Sequence, residues 1–129
     1  MHNDRTAAGK RLALQAAYYI REHSEQKFSL SEIAGALFVN GNYLARVFKH
    51  ETGHTLLWYH NAVRCENAKK MLIETNLSVA EIGSAVGYIS SAHFSHQFKK
   101  MTGFSPSEWR MKAGESSQTE EMIDFSRFV

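Results

Sequence analysis

The sequence feature that most constrains the fold is an internal repeat built on two capping boxes. Ser29-x-x-Glu32 recurs as Ser78-x-x-Glu81, 49 positions further along the chain. In a capping box the serine side chain accepts a backbone N–H from the first turn of a helix, and the glutamate accepts the N–H of the serine. Each box therefore predicts a helix that begins at the same place in two copies.

Matching residues follow each box. The first set is Leu30, Ile33, Ala34 and Leu37 in one copy and Val79, Ile82, Gly83 and Val86 in the other. After a shift of one residue the second set is Leu44, Phe48, Lys49, Thr52 and Gly53 against Phe94, Phe98, Lys99, Thr102 and Gly103. Each copy therefore predicts a short helix, a turn and a second helix that ends at glycine, which is a helix-turn-helix. We expect Ala34 and Gly83 to be small because two helices cross closely there.

Helical periodicity extends over the rest of the chain. Apolar residues recur every three or four positions, and Pro106 is the one proline. Helices are predicted at about 10–23, 30–37, 41–52, 56–74, 79–86, 91–102 and 106–112. The predicted fold is all-α, with seven helices and a long linker helix that joins two helix-turn-helix subdomains. Its divisions are a flexible N-terminal segment or linker (1–9), the first subdomain (10–54), the linker helix (55–75), the second subdomain (76–112) and an acidic, disordered tail (113–129).

The charge of the chain is unevenly distributed. Residues 1–112 contain 14 Lys and Arg against 9 Asp and Glu, whereas residues 113–129 contain 1 against 4. A basic body permits nucleic-acid binding without establishing it.

The one cysteine, Cys65, cannot close an intrachain disulfide and fits a reducing compartment. No apolar run approaches the roughly 20 residues that span a membrane, and residues 1–9 lack the apolar core of a secretory signal, so a cytoplasmic protein is predicted.

The sharpest enzymatic pattern is His50-Glu51-Thr52-Gly53-His54, which matches the zinc-protease motif H-E-x-x-H. That motif requires both histidines on one continuous helix face. Gly53 stands where the predicted helix ends, so His54 falls in a loop and we reject the motif. His93 and His96 are three residues apart, so a metal site remains one interpretation. The alternatives are packing beside the core, exposure to solvent or, for His96, a DNA contact. Because no Ser-His-Asp arrangement or glycine-rich phosphate loop is found, the prediction is a protein that is not an enzyme and needs no cofactor or metal.

The second helix of each copy presents a polar face once its apolar stripe is buried. The N-terminal residues of a recognition helix reach base edges, and basic residues further along meet phosphates. The predicted base contacts are Asn42, Ala45, Arg46, Ser91, Ala92, Ser95 and His96. The predicted phosphate contacts are Lys49, His50, Ser90, Lys99 and Lys100. For any single residue the alternative is a solvated side chain without a DNA contact.

The same residues carry a family resemblance. The sequence over 37–49, over 82–88 and over 93–110, together with Arg64, Ala68 and Met71-Leu72 in the linker, resembles the DNA-binding domain of the AraC/XylS transcriptional regulators. The resemblance covers about residues 10–112 and consists of a long, ordered, two-part motif. It implies a bacterial, sequence-specific transcription factor, usually an activator, with seven helices. It also implies base contacts at the same positions of the two recognition helices.

Two departures from the family pattern are visible. Ala45 and Ala92 cannot hydrogen-bond a base, although each can pack on a thymine methyl, and His96 replaces a more usual arginine or similar polar residue. Most members also have an effector-binding or dimerisation domain, which this sequence lacks. The chain is therefore either a naturally short member or the C-terminal piece of a longer regulator or response regulator.

The expected partners are double-stranded promoter DNA and RNA polymerase, in the cytoplasm and at the nucleoid, without membrane contact. A protein-interaction module is the alternative class, in which the scaffold would bind another protein through the tail. There Met122, Phe125 and Phe128 fall on one side of a hypothetical helix, beside Glu120, Glu121 and Asp124.

The length of the linker helix predicts the size of the DNA site. A helix of about 19 residues spans about 28 Å. Major grooves recur on one DNA face every 34–36 Å, about one helical turn. Because the two recognition helices differ in sequence, we expect one monomeric DNA-binding unit to cover an asymmetric site of about 20 base pairs.

Overall fold

The part of the chain that the computed structural model describes is residues 2–115, with side chains described over 7–114. Its helices are α1 (His2–Glu22), α2 (Leu30–Ala36), α3 (Gly41–Thr52), α4 (Leu56–Glu74), α5 (Val79–Ala85), α6 (Ser91–Thr102) and α7 (Pro106–Glu115). Within these residues the predicted all-α fold of seven helices is confirmed. The predicted acidic tail from residue 116 onward, with Met122, Phe125 and Phe128, lies outside the described residues.

Both ends of the helical region extend further than the sequence predicts. α1 begins at His2, so residues 2–9 are helical, where the sequence predicts a flexible segment or linker. Gly9 does not end the helix because it lies in a packed interface: a Cβ there would be 3.0 Å from Glu51 Oε2 and 3.7 Å from Val47 Cγ1. α7 continues through residues 113–115, where the composition predicts the tail. Ala113 and Glu115 are good helix formers and allow that extension.

Contacts divide the described chain into two compact units, residues 2–60 and 61–115, and α4 contributes to both. Buried residues of the first unit include Leu12, Ala16, Ile20, Ile33, Leu44, Phe48 and Tyr59. The core of the second unit contains Cys65, Ala68, Leu72, Ile82, Val86, Tyr88, Phe94 and Phe98. The apolar positions that the repeat pairs, such as Ile33 and Ile82, are therefore buried in one core each.

The capping residues begin the short helices. Ser78 Oγ accepts the N–H of Glu81 at 3.1 Å, and Glu81 Oε1 accepts the N–H of Ser78 at 2.8 Å, which completes the capping box of α5. The box before α7 closes in the same way. At α2 the serine half forms, with Ser29 Oγ accepting the N–H of Glu32 at 3.2 Å. Among the hydrogen bonds of the described residues, none runs from the Ser29 N–H to the Glu32 carboxylate, so that box is half made.

The repeated Thr-Gly pairs end the two recognition helices. Thr52 donates its hydroxyl to the carbonyl four residues earlier at 2.8 Å and accepts the N–H two residues later at 3.1 Å. Thr102 makes the same two bonds at 2.9 and 3.0 Å. The glycines that follow, Gly53 and Gly103, have φ values of 81° and 86°, in the left-handed region that favours glycine. The repeat in sequence is therefore also a repeat in hydrogen bonding.

Arg110 holds α7 against the end of α4. Its Nε donates to the carbonyl of Leu72 at 2.9 Å, and its Nη2 donates to the carbonyl of Thr75 at 3.2 Å. The last carbonyls of a helix have no partner within that helix, and the helix dipole favours a cation beside them. Arg110 therefore caps α4 at the place where the chain enters the second helix-turn-helix.

Gly83 should not tolerate even the methyl group of alanine. A Cβ at this position would lie 2.8 Å from Cδ2 of the Phe94 ring, so α5 or α6 must shift to admit it. Overpacking of this kind costs about 1–3 kcal/mol, more than the helix propensity of alanine returns. We expect Gly83→Ala to lower the free energy of unfolding by about 1 kcal/mol in urea titrations.

Gly35 on α2 is the matched control, because nothing lies within 4 Å of a Cβ placed there. Gly35→Ala should raise the free energy of unfolding by up to about 1 kcal/mol through helix propensity. Equal stabilisation by both substitutions would show that α5 and α6 do not meet as closely as Gly83 and Phe94 indicate.

The capping boxes should make stability depend on pH. Hydrogen bonds from the backbone and side chain of Ser78 lower the pKa of Glu81 from its ordinary 4.5, and the same bonds from Ser105 lower the pKa of Glu108. A depressed folded-state pKa adds stability above the unfolded pKa, and that stability is lost as the pH falls through the folded value. In thermal unfolding, wild type should therefore have a higher Tm than Glu81→Gln at pH 7. Well below pH 4 the two Tm values should be equal. Glu32→Gln, at the half-made box, should show the smaller difference at pH 7.

Candidate nucleic-acid interface

The outward face of α3 is set by what the helix buries. Asn40 begins the helix, its Oδ1 accepting the N–H of Tyr43 at 3.1 Å. Leu44 and Phe48 are fully buried, and the Phe48 ring meets the Tyr59 ring edge-on at a centroid distance of 5.7 Å. The remaining predicted contacts therefore point away from the core: Asn42, Arg46, Lys49 and His50 are exposed, and Ala45 is half-buried.

Three of these predicted contacts share an open groove with α1. Arg46, Lys49 and His50 line one side of the groove, and Ala8 and Gly9 line the other. We call this the α1–α3 groove; Tyr43, Val47 and Glu51 complete its lining. The contribution of Ala8 and Gly9 was not predicted, because their polar surroundings in the sequence suggest a flexible segment. The signal available was the spacing of Gly9, Ala13, Ala16 and Ile20, which is that of one helical face.

The outward face of α6 is built in the same way. Ser90 begins the helix, with its Oγ accepting the N–H of His93 at 3.1 Å, so its hydroxyl hydrogen can still be donated to another acceptor. Phe94 and Phe98 are buried, with ring centroids 5.8 Å apart. The predicted contacts Ser91, Ala92, His96, Lys99 and Lys100 are exposed, and Ser95 is half-buried.

Tyr88 connects the start of α6 to α4. Its ring meets His93 edge-on at 5.3 Å and Phe94 at 5.5 Å. On the α4 side, the guanidinium carbon of the buried Arg64 lies 5.0 Å from the Tyr88 ring centroid. Burial raises the pKa of the Tyr88 hydroxyl, and the charge of Arg64 opposes that rise. Sequence reasoning identified both residues only through the family resemblance and gave neither a role in holding α6.

The histidines of the H-E-x-x-H pattern do not share a helix face. α3 ends at Thr52, and His54 stacks on Trp58 in the next helix with ring centroids 3.8 Å apart. The Nδ1 of the exposed His50 instead lies 3.4 Å from Glu51 Oε2. Among the side chains of residues 7–114, no three or more His, Cys, Asp or Glu are grouped for a metal ion. Nor does any helix of the described residues have the length and apolar character to cross a membrane.

Comparison with known proteins identifies a family model and several relatives that match most of the chain. A family model for a helix-turn-helix domain matches residues 33–112. The HTH-type transcriptional regulator YisR of Bacillus subtilis is 35% identical over 104 residues, which are 81% of this chain and 36% of that protein. The xylose operon regulatory protein of Escherichia coli is 34% identical over 97 residues, 75% of this chain and 25% of that protein. The chain thus spans about a third or less of the length of these two relatives.

A solved structure matches over nearly the whole chain. The C-terminal domain of AraT, a response regulator from Geobacillus stearothermophilus, superposes with a TM-score of 0.76 at 32% identity, covering 88% of this chain and 91% of that one. The relatives are named as regulators of transcription, in agreement with the prediction that the chain is not an enzyme. The family model, the relatives and the shared fold together show that the chain belongs to the AraC/XylS family of transcriptional regulators and corresponds to their helix-turn-helix DNA-binding domain.

Proposed function

We propose that the chain is the sequence-specific DNA-binding part of a bacterial transcriptional activator that works in the cytoplasm, at the nucleoid. The observation that carries this proposal is the duplicated recognition helix. In both copies two large apolar residues are buried four positions apart, and the predicted DNA contacts occupy the opposite face. Exposure to solvent alone gives no reason for this arrangement to occur in both copies. Contact with two segments of DNA does, because each segment needs its own recognition helix.

The two recognition helices carry different chemistry to the DNA. On α3, Arg46 can donate two hydrogen bonds to guanine and Asn42 can pair with adenine, while Ala45 can only pack on a thymine methyl. On α6, Ser91, Ser95 and His96 offer single hydrogen bonds and Ala92 offers an apolar contact. Lys49, His50, Ser90, Lys99 and Lys100 then meet phosphates, which fix register without reading sequence. The first unit therefore supplies most of the sequence selectivity.

We infer that the recognition helices enter successive major grooves as one monomer. The support is the length of α4: 19 residues at about 1.5 Å each span about 28 Å, comparable with the groove repeat of about 34–36 Å. Because the α3 and α6 faces differ, the site they read is asymmetric. A symmetric pair of half-sites, which suits two identical recognition helices, is not needed.

The remaining partners follow from the relatives. The matched relatives are longer than this chain, and the AraT structure is a domain of a response regulator. We infer that the activity of this DNA-binding unit is coupled to an effector or receiver domain in a longer protein, or that the unit acts as a short regulator alone. We also propose contact with RNA polymerase, as the expected role of an activator implies.

Arg46→Ala and Lys99→Ala should separate base reading from phosphate contact. Loss of the Arg46 guanidinium should cost about 1–3 kcal/mol of specific binding and relax one base position of the site. Lys99→Ala should weaken specific and nonspecific binding alike and flatten the slope of log affinity against log salt by about 0.9. Both are measured by fluorescence anisotropy on specific and scrambled duplexes over a salt series. If both variants lose affinity equally on every sequence, Arg46 is a phosphate contact; a wild-type slope near zero would favour protein interaction over DNA binding.

The footprint of the protein should reveal a monomer on two grooves. We expect protection over about 20 base pairs, in two patches one helical turn apart, with one chain per site. Hydroxyl-radical footprinting gives the patches, and titration at concentrations far above the dissociation constant gives the stoichiometry. Two equal inverted patches with two chains per site would contradict the monomer. Protection of a single groove would show that α6 makes no groove contact.

A further inference from the structure

We propose that the α1–α3 groove receives the sugar-phosphate backbone of the bound DNA, so that the start of α1 is a further DNA-contacting element beside the two recognition helices. This inference rests on the proposed DNA binding and adds a contact that neither helix-turn-helix supplies. Ala8 is the position on α1 that we expect to face the DNA.

The charge of the groove fits a polyanion. Its α3 side carries Arg46, Lys49 and His50, all exposed, and on its α1 side the described side chains in the lining are the small residues Ala8 and Gly9. A phosphate chain can approach small residues closely, while Lys49 and His50 provide donors along its length, which leaves Arg46 for the base edge. The groove is also continuous with the α3 face on which the predicted base contacts lie.

Among the described side chains that line the groove Glu51 is the one carboxylate, and its position leaves the rim to the cations. The Glu51 side chain is only 13% exposed, whereas His50, with which it pairs at 3.4 Å, is 86% exposed. The same carboxylate lies against Gly9, where an added Cβ would meet it at 3.0 Å. Glu51 therefore occupies the floor of the groove and the cations occupy its rim.

A second groove on the same unit provides the contrast. It is lined by Leu14, Gln15, Tyr18, Tyr19, Glu22, His23 and Leu37. Its described side chains include a carboxylate and neither lysine nor arginine, and Leu14 and Tyr18 are largely exposed apolar residues. Both grooves border α1, but only the α1–α3 groove offers the charge that DNA requires.

The charge at residue 8 tests the proposal without touching the recognition helix. Ala8 is exposed on a helix, so lysine, glutamine and glutamate are all tolerated there by helix propensity. Ala36, exposed on α2, is the matched control for the same three substitutions. The readout is the dissociation constant for a specific duplex at fixed salt, with thermal unfolding to show that each variant is folded.

We expect Ala8→Lys to bind about 3-fold or more tightly than wild type, Ala8→Glu to bind about 3- to 10-fold more weakly, and Ala8→Gln to change little. The salt slope should steepen by about 0.9 in Ala8→Lys, for one more neutralised phosphate. The Ala36 variants should show much smaller changes. Equal effects at residues 8 and 36 would show that the change in affinity comes from the net charge of the protein and not from a contact at residue 8, which would overturn the proposal. If substitutions at residue 8 leave the dissociation constant unchanged while Arg46→Ala still weakens binding, the groove contact is wrong and the proposed DNA binding stands. If wild type binds no duplex, the proposed function itself is wrong.

A tethered cleavage reagent locates the contact directly. Cys65 is the one cysteine of the chain, it is buried, and burial raises the pKa of its thiol to about 12. An iron chelate should therefore react almost only with the introduced thiol of Ala8→Cys or Ala36→Cys, since the thiolate is the reactive form. The groove contact predicts cuts from position 8 clustered on the backbone beside the base pair read by Arg46. Cuts from position 8 no stronger than those from position 36 would contradict it.

Discussion

The DNA-facing surface of each unit depends on two buried side chains one helical turn apart on its recognition helix. On α3 these are Leu44 and Phe48, and on α6 they are Phe94 and Phe98, each at most 2% exposed. Because a helix places residues four apart on the same face, burying both fixes the rotation of the helix about its own axis. Truncating one of the phenylalanines would cost about 3–5 kcal/mol, a large part of the stability of a small domain. The polar face is therefore presented by packing, not by the polar residues themselves.

The turn before each recognition helix shows how much of this could be predicted. The sequence predicted the turns, the Ser90 N-cap and both terminal glycines, because capping and left-handed positions have specific residue preferences, whereas Asn40 was placed in the turn and not recognised as the cap of α3. It did not locate the one-residue shift between the copies. The structure does: the N–H of Val39 donates to the carbonyl of Ala34, and the N–H of Tyr88 donates to the carbonyl of Gly83, so the extra residue is Ile89. Fully exposed, Ile89 leaves no periodic signal in the sequence.

The same turn contains a conformation that residue preferences argue against. Phe38 has a φ of 59° and is 94% exposed, where the second copy has Gly87 with a φ of 116°. A left-handed phenylalanine costs on the order of 1–2 kcal/mol, so glycine would be the expected residue. The α1–α3 groove was missed for a related reason. Gly9 is a weak helix former in isolation, and only the packing of α1 on α3 shows why a small residue is needed there.

Several cations of the second unit are held by partners within the unit. The net charge of the unit therefore overstates the positive charge that can contact DNA. Arg64 lies over Tyr88, Lys69 lies 4.7 Å from the Trp109 ring centroid and 3.5 Å from Glu66, and Arg110 caps α4. Arg64 and Lys69 are buried and Arg110 is half-buried, and buried cations must keep their partners because an unpaired buried charge costs several kcal/mol. They cannot turn outward to meet phosphates without weakening the core. The exposed lysines of this unit are Lys70, Lys99, Lys100 and Lys112, and of these Lys99 and Lys100 lie on α6, where phosphate contacts are predicted. Since α6 offers few strong base donors, its exposed lysines favour a role in holding the backbone while α3 selects the sequence.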